Sequence, residues 1–210
     1  AGPGSRRRAR RRRIRSPRGR QRELRRAART VGPVRRRDPT LRVRWRRRLD
    51  ADGLLRATAA ELAGVGVDAV EVGRRCDSCG GSHGRPTLEI RGSMPLWGSL
   101  ARSGDVAAVA VSTAPVGVDV ERRTEELPDP GAVLAPGEDA ADVLLAWVRK
   151  EAALKAAGVG LLDDPRRLDV SRDDVRWIGR DGRRRRALVR TAHDADGLVV
   201  AVATARGWVR

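Results

Sequence analysis

The residues best suited to chemistry are two acids on a predicted strand, Asp119 and Glu121, and an acid with a lysine on a predicted helix. Side chains alternate along a strand, so Asp119 and Glu121 share one face of Gly117–Glu121. Two carboxylates side by side repel each other unless a cation lies between them. Mg²⁺ commonly binds through a few carboxylates together with the phosphate oxygens of a substrate. The pair therefore indicates either a magnesium site or the solvated acidic face of an edge strand.

The predicted helix runs from about Glu138 to Ala157, where a following glycine ends it. Its apolar side chains form one stripe, and Glu151 and Lys155 fall inside that stripe, four residues apart. The usual role of such a spacing is an ion pair on a solvated face. Because Leu144 and Trp147 share this face, we expect the pair to be partly buried and to need further partners. This favours a functional role for Glu151 and Lys155.

The rest of the pattern predicts a mixed α and β protein. A first helix includes Leu54 and ends at Gly64. Strands are predicted at Ala69–Val72, Thr87–Ile90, Val106–Ser112, Val116–Glu121, Leu168–Val170, Val175–Ile178, Ala187–Arg190 and Leu198–Thr204. The apolar runs at 105–114 and 197–205 resemble each other, which indicates a duplicated αβ unit with an N-terminal half at 49–114 and a C-terminal half at 115–210.

Charge divides the chain into two parts. The 210 residues carry 45 Lys and Arg against 27 Asp and Glu, a net charge of +18. Residues 1–48 hold 22 arginines and two acids, a net charge of +20, so the remainder is close to neutral. We predict that residues 1–48 form a basic, largely disordered leader and that residues 6–48 bind polyanions nonspecifically. A nucleic-acid-binding protein acting through this leader is one alternative function, although the remainder shows no recognisable motif for it.

Several protein classes do not fit the sequence. No apolar run approaches the ~18–20 residues that a membrane span needs, and no secretory signal follows the basic N-terminus. Two cysteines cannot build a disulfide scaffold, so we expect a cytoplasmic protein without a membrane partner. Cys76, Cys79 and His83 offer three ligands where a structural zinc ion wants four, so we do not expect zinc there.

The motifs Gly117–Glu121 and Trp147–Lys155 together resemble the paired signatures of the 4′-phosphopantetheinyl transferase superfamily. Segments 158–161, Asp164–Leu168 and His83–Pro86 are also similar to that family. The resemblance covers roughly residues 53–205 and is to the monomeric, Sfp-type branch. It implies an α+β fold of two pseudo-symmetric halves, each a small antiparallel sheet plus a long helix, with the active site between them.

The resemblance implies a reaction that uses coenzyme A as co-substrate. The family transfers the 4′-phosphopantetheine arm to a serine of an acyl, peptidyl or aryl carrier protein and releases 3′,5′-ADP. Carried over by motif, Asp119, Glu121 and Glu151 would hold Mg²⁺. Lys155 would meet the phosphates, and Glu151 or a water molecule would take the proton of the carrier serine. Glu151 and Lys155 are therefore the predicted catalytic residues.

The resemblance also predicts a coenzyme A site. Its residues are Gly84, Arg85, Pro86, Arg102, Lys150 and Lys155. Arg102 stands where the family commonly has a histidine facing a coenzyme A phosphate, and arginine is a good phosphate ligand. We therefore expect Arg85 and Arg102 to bind the 3′-phosphate jointly. Residues 1–48 do not resemble the family's N-terminal helix and strand, so the N-terminal half is either divergent or incomplete. An inactive relative that binds coenzyme A or carrier protein without transfer is the second alternative.

Overall fold

The computed structural model describes residues 39–47, 50–76, 79–82, 84–123 and 128–206. The helices are α1 (Ala51–Ala63), the single turn α2 (Pro130–Val133) and α3 (Val143–Ala156). The strands are β1 (Leu41–Arg47), β2 (Val70–Arg75), β3 (Arg85–Ile90), β4 (Trp97–Ser103), β5 (Val106–Ser112), β6 (Val116–Arg122), β7 (Asp174–Ile178), β8 (Arg184–Ala195) and β9 (Leu198–Ala205). The fold is mixed α+β with antiparallel sheets, which confirms the predicted class at that level.

Three antiparallel sheets order the strands. They are β1-β5-β4, the β2-β3 pair, and β6-β9-β8-β7. The strands of the first two sheets precede residue 113, and those of the four-stranded sheet follow residue 115. The similar apolar runs form β5 and β9, and each lies in the interior of its sheet because both edges are hydrogen-bonded to a neighbour.

Three apolar cores stack between these elements. Leu54 and Leu55 of α1 pack with the β5 side chains Val109 and Val111. The opposite face of β5 packs against β6 and β9 in the middle core. The third core lies between α3 and the other face of the four-stranded sheet. The layers therefore follow the order α1, three-stranded sheet, four-stranded sheet, α3.

Strand β1 lies inside the segment that the sequence predicted as a leader. Leu41, Val43 and Trp45 pack against the middle core, and β1 pairs with β5 along its whole length. The folded part therefore begins before residue 49, which corrects the predicted boundary. Apolar residues alternate with arginines in this segment, which is the pattern of a half-buried strand. The strand was not predicted because the high positive charge of the segment favoured disorder. Residues 1–38 and 48–49, with their predicted disorder and polyanion binding, lie outside the described residues.

Helix α3 begins at Val143 rather than at the predicted Glu138. Asp142 is its N-cap, and the Asp142 side chain accepts a hydrogen bond from the backbone N–H of Leu145 at 3.0 Å. Its 14 residues make α3 the longest helix described, and no helix in the described segments has both the length and the apolar character needed to cross a bilayer.

The predicted strand Leu168–Val170 does not form, although Leu168 and Val170 are buried. The backbone N–H of Val170 donates to Glu138 Oε1 at 2.8 Å, and its carbonyl accepts from Arg149 Nε at 3.1 Å. These two side chains satisfy the backbone groups of Val170 that a neighbouring strand would otherwise bind. The segment can therefore be buried without joining a sheet.

Candidate functional site

Gly117 allows α3 to approach β6 closely. A Cβ on Gly117 would lie 2.1 Å from the carbonyl oxygen of Ala152 and 2.4 Å from the backbone nitrogen of Ala156, both in α3. Since no side chain fits in this space, glycine sets the distance between the helix and the strand. The same hypothetical Cβ would lie 2.9 Å from Cβ of Lys155, so the lysine starts directly beside the strand that carries the acids.

Strand β6 presents different residues to its two sides. Val118 and Val120 are fully buried in the middle core. Asp119 alternates with them and therefore lies on the side of α3, where Lys155 reaches it. This is the alternation that the sequence predicted for Asp119.

Asp119, Glu151 and Lys155 form one ionic cluster. Lys155 Nζ lies 2.5 Å from Asp119 Oδ1 and 3.2 Å from Glu151 Oε2. The side chain of Asp119 is 5% exposed and that of Glu151 is 15% exposed. The predicted i,i+4 pair is therefore largely buried and has the further partner that its position on an apolar stripe required.

Burial makes the charge on Asp119 costly. It raises the pKa of Asp119 to about 7, against the opposing attraction of Lys155 and with a further contribution from the negative charges of Glu151 and Glu121. Burial also works against the charge on Lys155, but the two neighbouring carboxylates outweigh it and raise the pKa of Lys155. The cluster holds more negative charge than one ammonium can neutralise.

One oxygen of the cluster has no partner. Asp119 Oδ2 is buried and accepts no hydrogen bond from any described residue. A buried carboxylate oxygen in this state is normally satisfied by a donor, a water molecule or a cation. Asp119 is therefore ready to accept a positive charge.

Glu121 is held by the N-terminal half of the fold. Ser103 Oγ of β4 donates to Glu121 Oε2 at 2.8 Å and accepts from the backbone N–H of Arg122 at 3.2 Å. Four residues earlier, Ser99 Oγ accepts from the backbone N–H of Val118 at 3.0 Å. Two serines of β4 thus bind the edge of β6 that β9 leaves open. Sequence reasoning missed both serines because it did not predict β4.

The donor set fits a magnesium ion. Mg²⁺ prefers hard oxygen ligands and commonly binds one or two carboxylates, with water and substrate phosphate supplying the rest. Asp119, Glu121 and Glu151 provide carboxylates alone, and Asp119 Oδ2 needs a partner. In the described residues no three acidic, histidine or cysteine side chains already converge as a metal cage. The predicted ligands Asp119, Glu121 and Glu151 are therefore of the type that Mg²⁺ prefers, but they do not converge on one point in the described residues.

Arg85 lies between the start of β6 and the turn that follows α3. Its guanidinium donates to the carbonyl of Val116 at 3.2 Å and stacks over the ring of Trp97, 4.9 Å from the ring centroid. Nη1 of Arg85 lies 3.2 Å from where a Cβ on Gly158 would stand, just beyond α3. Arg85 of the first half therefore contacts β6 directly and lies beside the turn that follows α3, while its part in a phosphate site stays a prediction.

Arg102 does not join Arg85. A Cβ on Gly98 of β4 would contact Leu55 of α1, so the even positions of β4 face α1. Arg102 shares that face and is exposed, whereas Arg85 stacks on Trp97, an odd position at the other end of the strand. The predicted joint binding of the 3′-phosphate by Arg85 and Arg102 is therefore not supported, because the two side chains lie on opposite faces of β4.

Gly84 and Pro86 flank Arg85 at the start of β3. Gly84 is exposed with φ +99°, a backbone conformation that favours glycine. Pro86 pairs with Arg74 of β2 as part of the strand. Both residues position Arg85, and neither contributes a charged group to the cluster.

Lys150 has a different role from the predicted one. Its side chain is fully buried, 2.5 Å from Glu138 Oε2 and 2.7 Å from the carbonyl of Val133. Burial lowers the pKa of Lys150 in spite of the Glu138 carboxylate. We therefore correct its assignment to the coenzyme A site, because no phosphate can reach an ammonium that the protein encloses.

Cys76 and Cys79 do not form a disulfide. The backbone N–H of Gly81 donates to Cys79 Sγ at 3.4 Å, which folds the loop between β2 and β3. His83, the third predicted ligand, lies outside the described residues.

A scan of the sequence against models of known protein families found no match. A search of curated proteins found no relative either.

Proposed function

We propose that this chain is an Sfp-type 4′-phosphopantetheinyl transferase that moves the phosphopantetheine arm of coenzyme A to a serine of an acyl, peptidyl or aryl carrier protein. The observation that carries the proposal is the cluster of Asp119, Glu151 and Lys155, with one buried carboxylate oxygen left unpartnered. These residues lie in the two motifs that resemble the family. Transfer of a phosphoryl-linked group needs positioning and charge neutralisation, and this cluster offers groups suited to both.

Asp119 and Glu151, with Glu121 beside them, would hold Mg²⁺. The bound ion would supply positive charge to the pyrophosphate of coenzyme A as negative charge develops on the leaving phosphate. Ser103 fixes the Glu121 carboxylate through its hydroxyl donor, so it is a positioning residue in this proposal.

Lys155 would donate to the phosphates, and its raised pKa keeps it positively charged at neutral pH. Its Nζ now binds two carboxylates, and a phosphate would compete with them for its protons. Of the two carboxylates that contact Lys155, Glu151 is the more exposed. It is therefore the more accessible group to accept the proton of a carrier serine.

The finer fold assignment belongs to the same proposal. The two similar strands are interior strands of separate sheets, each packed against a long helix, as expected of two pseudo-symmetric halves. Arg85 and the serines of β4 connect the first half to β6, the strand that carries Asp119 and Glu121. Arg85 is therefore our candidate for contact with a phosphate of coenzyme A.

The test is transfer itself. The protein, coenzyme A, Mg²⁺ and an unmodified carrier protein are incubated, and the mass of the carrier is measured. We expect an increase equal to the phosphopantetheine arm, and loss of that increase in EDTA. Glu151→Gln keeps the side-chain volume but removes the charge, so transfer should fall by a factor of ~10² or more while the protein stays folded.

Glu89→Gln is the matched control. Glu89 is exposed on β3, so this substitution makes the same chemical change away from the cluster. Full transfer by Glu151→Gln would contradict the mechanism. No transfer by the wild type to several carrier types, together with tight binding of coenzyme A in calorimetry, would support the inactive relative instead.

A further inference from the structure

The hairpin formed by β7 and β8 carries an open groove of about 540 Å³. Five arginines and an exposed isoleucine contribute to its lining: Arg176, Arg184, Arg185, Arg186, Arg206 and Ile178. This groove belongs to the four-stranded sheet, but it plays no part in the ionic cluster at β6.

Most of these arginines lie on the face of the sheet that points away from α3. Val175 of β7 and Ala187 of β8 are buried in the core beneath α3. Arg176, Arg184 and Arg186 alternate with them and are exposed, so they lie on the outer face. Arg206 joins this row, since its backbone N–H donates to the carbonyl of Arg186 at 3.0 Å.

Positive charge exceeds negative charge in the groove. Arg176 and Arg186 share one carboxylate, Asp174, and Arg185 pairs with two further carboxylates. Arg184 and Arg206 have no carboxylate within ion-pair distance among the described residues. The outer face therefore presents guanidinium groups that are accessible to an anion from outside the chain.

We propose that this groove binds the phosphate backbone of a single-stranded nucleic acid. Arg184 lies two residues before Arg186 on β8, about 6.8 Å along the strand, and Arg206 lies beside Arg186, so the two arginines without a carboxylate partner can meet different phosphates of one extended strand. Guanidinium groups bind phosphate oxygens in bidentate fashion. Ile178, 54% exposed beside them, offers an apolar surface that an unpaired base can cover, whereas the bases of a duplex stay inside their stack.

The experiment measures binding of a fluorescent oligo-dT to the full chain over a series of salt concentrations. The test variant is Arg184→Gln with Arg206→Gln. The matched control is Arg56→Gln with Arg91→Gln, two exposed arginines outside the groove that also form no ion pair among the described residues. Residues 1–38 are unchanged in all three proteins, so a difference between the test and control variants reports the groove.

We expect the test variant to bind oligo-dT about tenfold more weakly than the control. The slope of log affinity against log salt should fall by about 1.4, since each phosphate contact on a single strand contributes about 0.7. An affinity and a slope equal to those of the control would overturn the proposal. So would a variant that keeps oligo-dT binding but loses binding to polyglutamate, because the groove would then be a site for an acidic protein.

Transfer of phosphopantetheine provides an independent readout. Arg184 and Arg206 lie on the opposite face of the sheet from α3, so the test variant should retain the transfer activity of the wild type. The oligo-dT comparison does not need that activity, and it stands whether or not the proposed function is correct.

Discussion

Asp119→Asn should stabilise the protein increasingly as the pH rises. Burial raises the pKa of Asp119 from 3.8 to about 7, so the native state holds this proton more tightly than the unfolded state does. The stability contributed by the protonated form is fully present below pH 3.8 and is lost as the pH rises through 7. Since one pKa unit corresponds to about 1.4 kcal/mol, the whole rise amounts to about 4 kcal/mol. An amide has no such charge to bury and avoids this cost.

Urea unfolding followed by tryptophan fluorescence measures the effect, with EDTA present to remove divalent ions. Part of the cost has already appeared at pH 5, so the difference in free energy of unfolding between Asp119→Asn and the wild type should grow by about 3 kcal/mol from pH 5 to pH 8. Asp174→Asn is the control. Arg186 lowers the pKa of the exposed Asp174 to about 2, so this residue is ionised at both pH values and should add no pH dependence.

A difference between Asp119→Asn and the wild type that stays constant from pH 5 to pH 8 would refute this account of the buried carboxylate. Mg²⁺ provides a second check at pH 8. An ion that binds the native state stabilises it, so excess Mg²⁺ should stabilise the wild type more than Asp119→Asn.

Three further predictions concern residues around the site. Gly117→Ala should lower the free energy of unfolding by about 3 kcal/mol or more, because the methyl group would meet backbone atoms of α3 that cannot rotate away; a urea midpoint close to that of the wild type would contradict this. Ser103→Ala should weaken Mg²⁺ binding several-fold in calorimetry, since Glu121 loses its hydroxyl donor, and unchanged affinity would remove Glu121 from the ligand set. Lys150→Ala should cost about 3–5 kcal/mol, because the buried Glu138 carboxylate keeps its backbone donors but loses its counter-charge. Lys150→Met combined with Glu138→Gln should recover most of that loss in thermal unfolding, and equal losses would show that the ion pair is not the cause.

The cluster could be predicted because it depends on two regular elements. Alternation along β6 assigns Asp119 to one side, and the period of α3 assigns Glu151 and Lys155 to one stripe. Neither pattern reveals that the two elements touch. Gly117 indicates this contact, because a glycine within a buried strand often marks a place where another backbone approaches closely. Here the approaching backbone is that of α3.

The positions of Arg102 and Ser103 were harder to predict, because both residues lie on β4. This strand has no β-branched residue, and its glycine and serines weaken the strand pattern. Without its register, the side to which Arg102 points cannot be derived. Because β4 was not predicted, Ser103 was not recognised either, although its hydroxyl donates to Glu121.

The two lysines of α3 show how far helical geometry alone can go. Lys150 and Lys155 are five residues apart, which places them about 140° apart around the helix axis, so one phosphate site could not include both through the same face. The partner of Lys155 follows from the regular pattern of β6 and α3. The partner of Lys150 does not, since a helix that began at Glu138 would place that carboxylate three turns away. Because α3 begins only at Val143, the irregular segment before it can fold back along the helix. This places the Glu138 carboxylate beside the buried ammonium of Lys150. The sequence thus contained the reason to separate the two lysines, while the reason for burying Lys150 lies in a segment without regular structure.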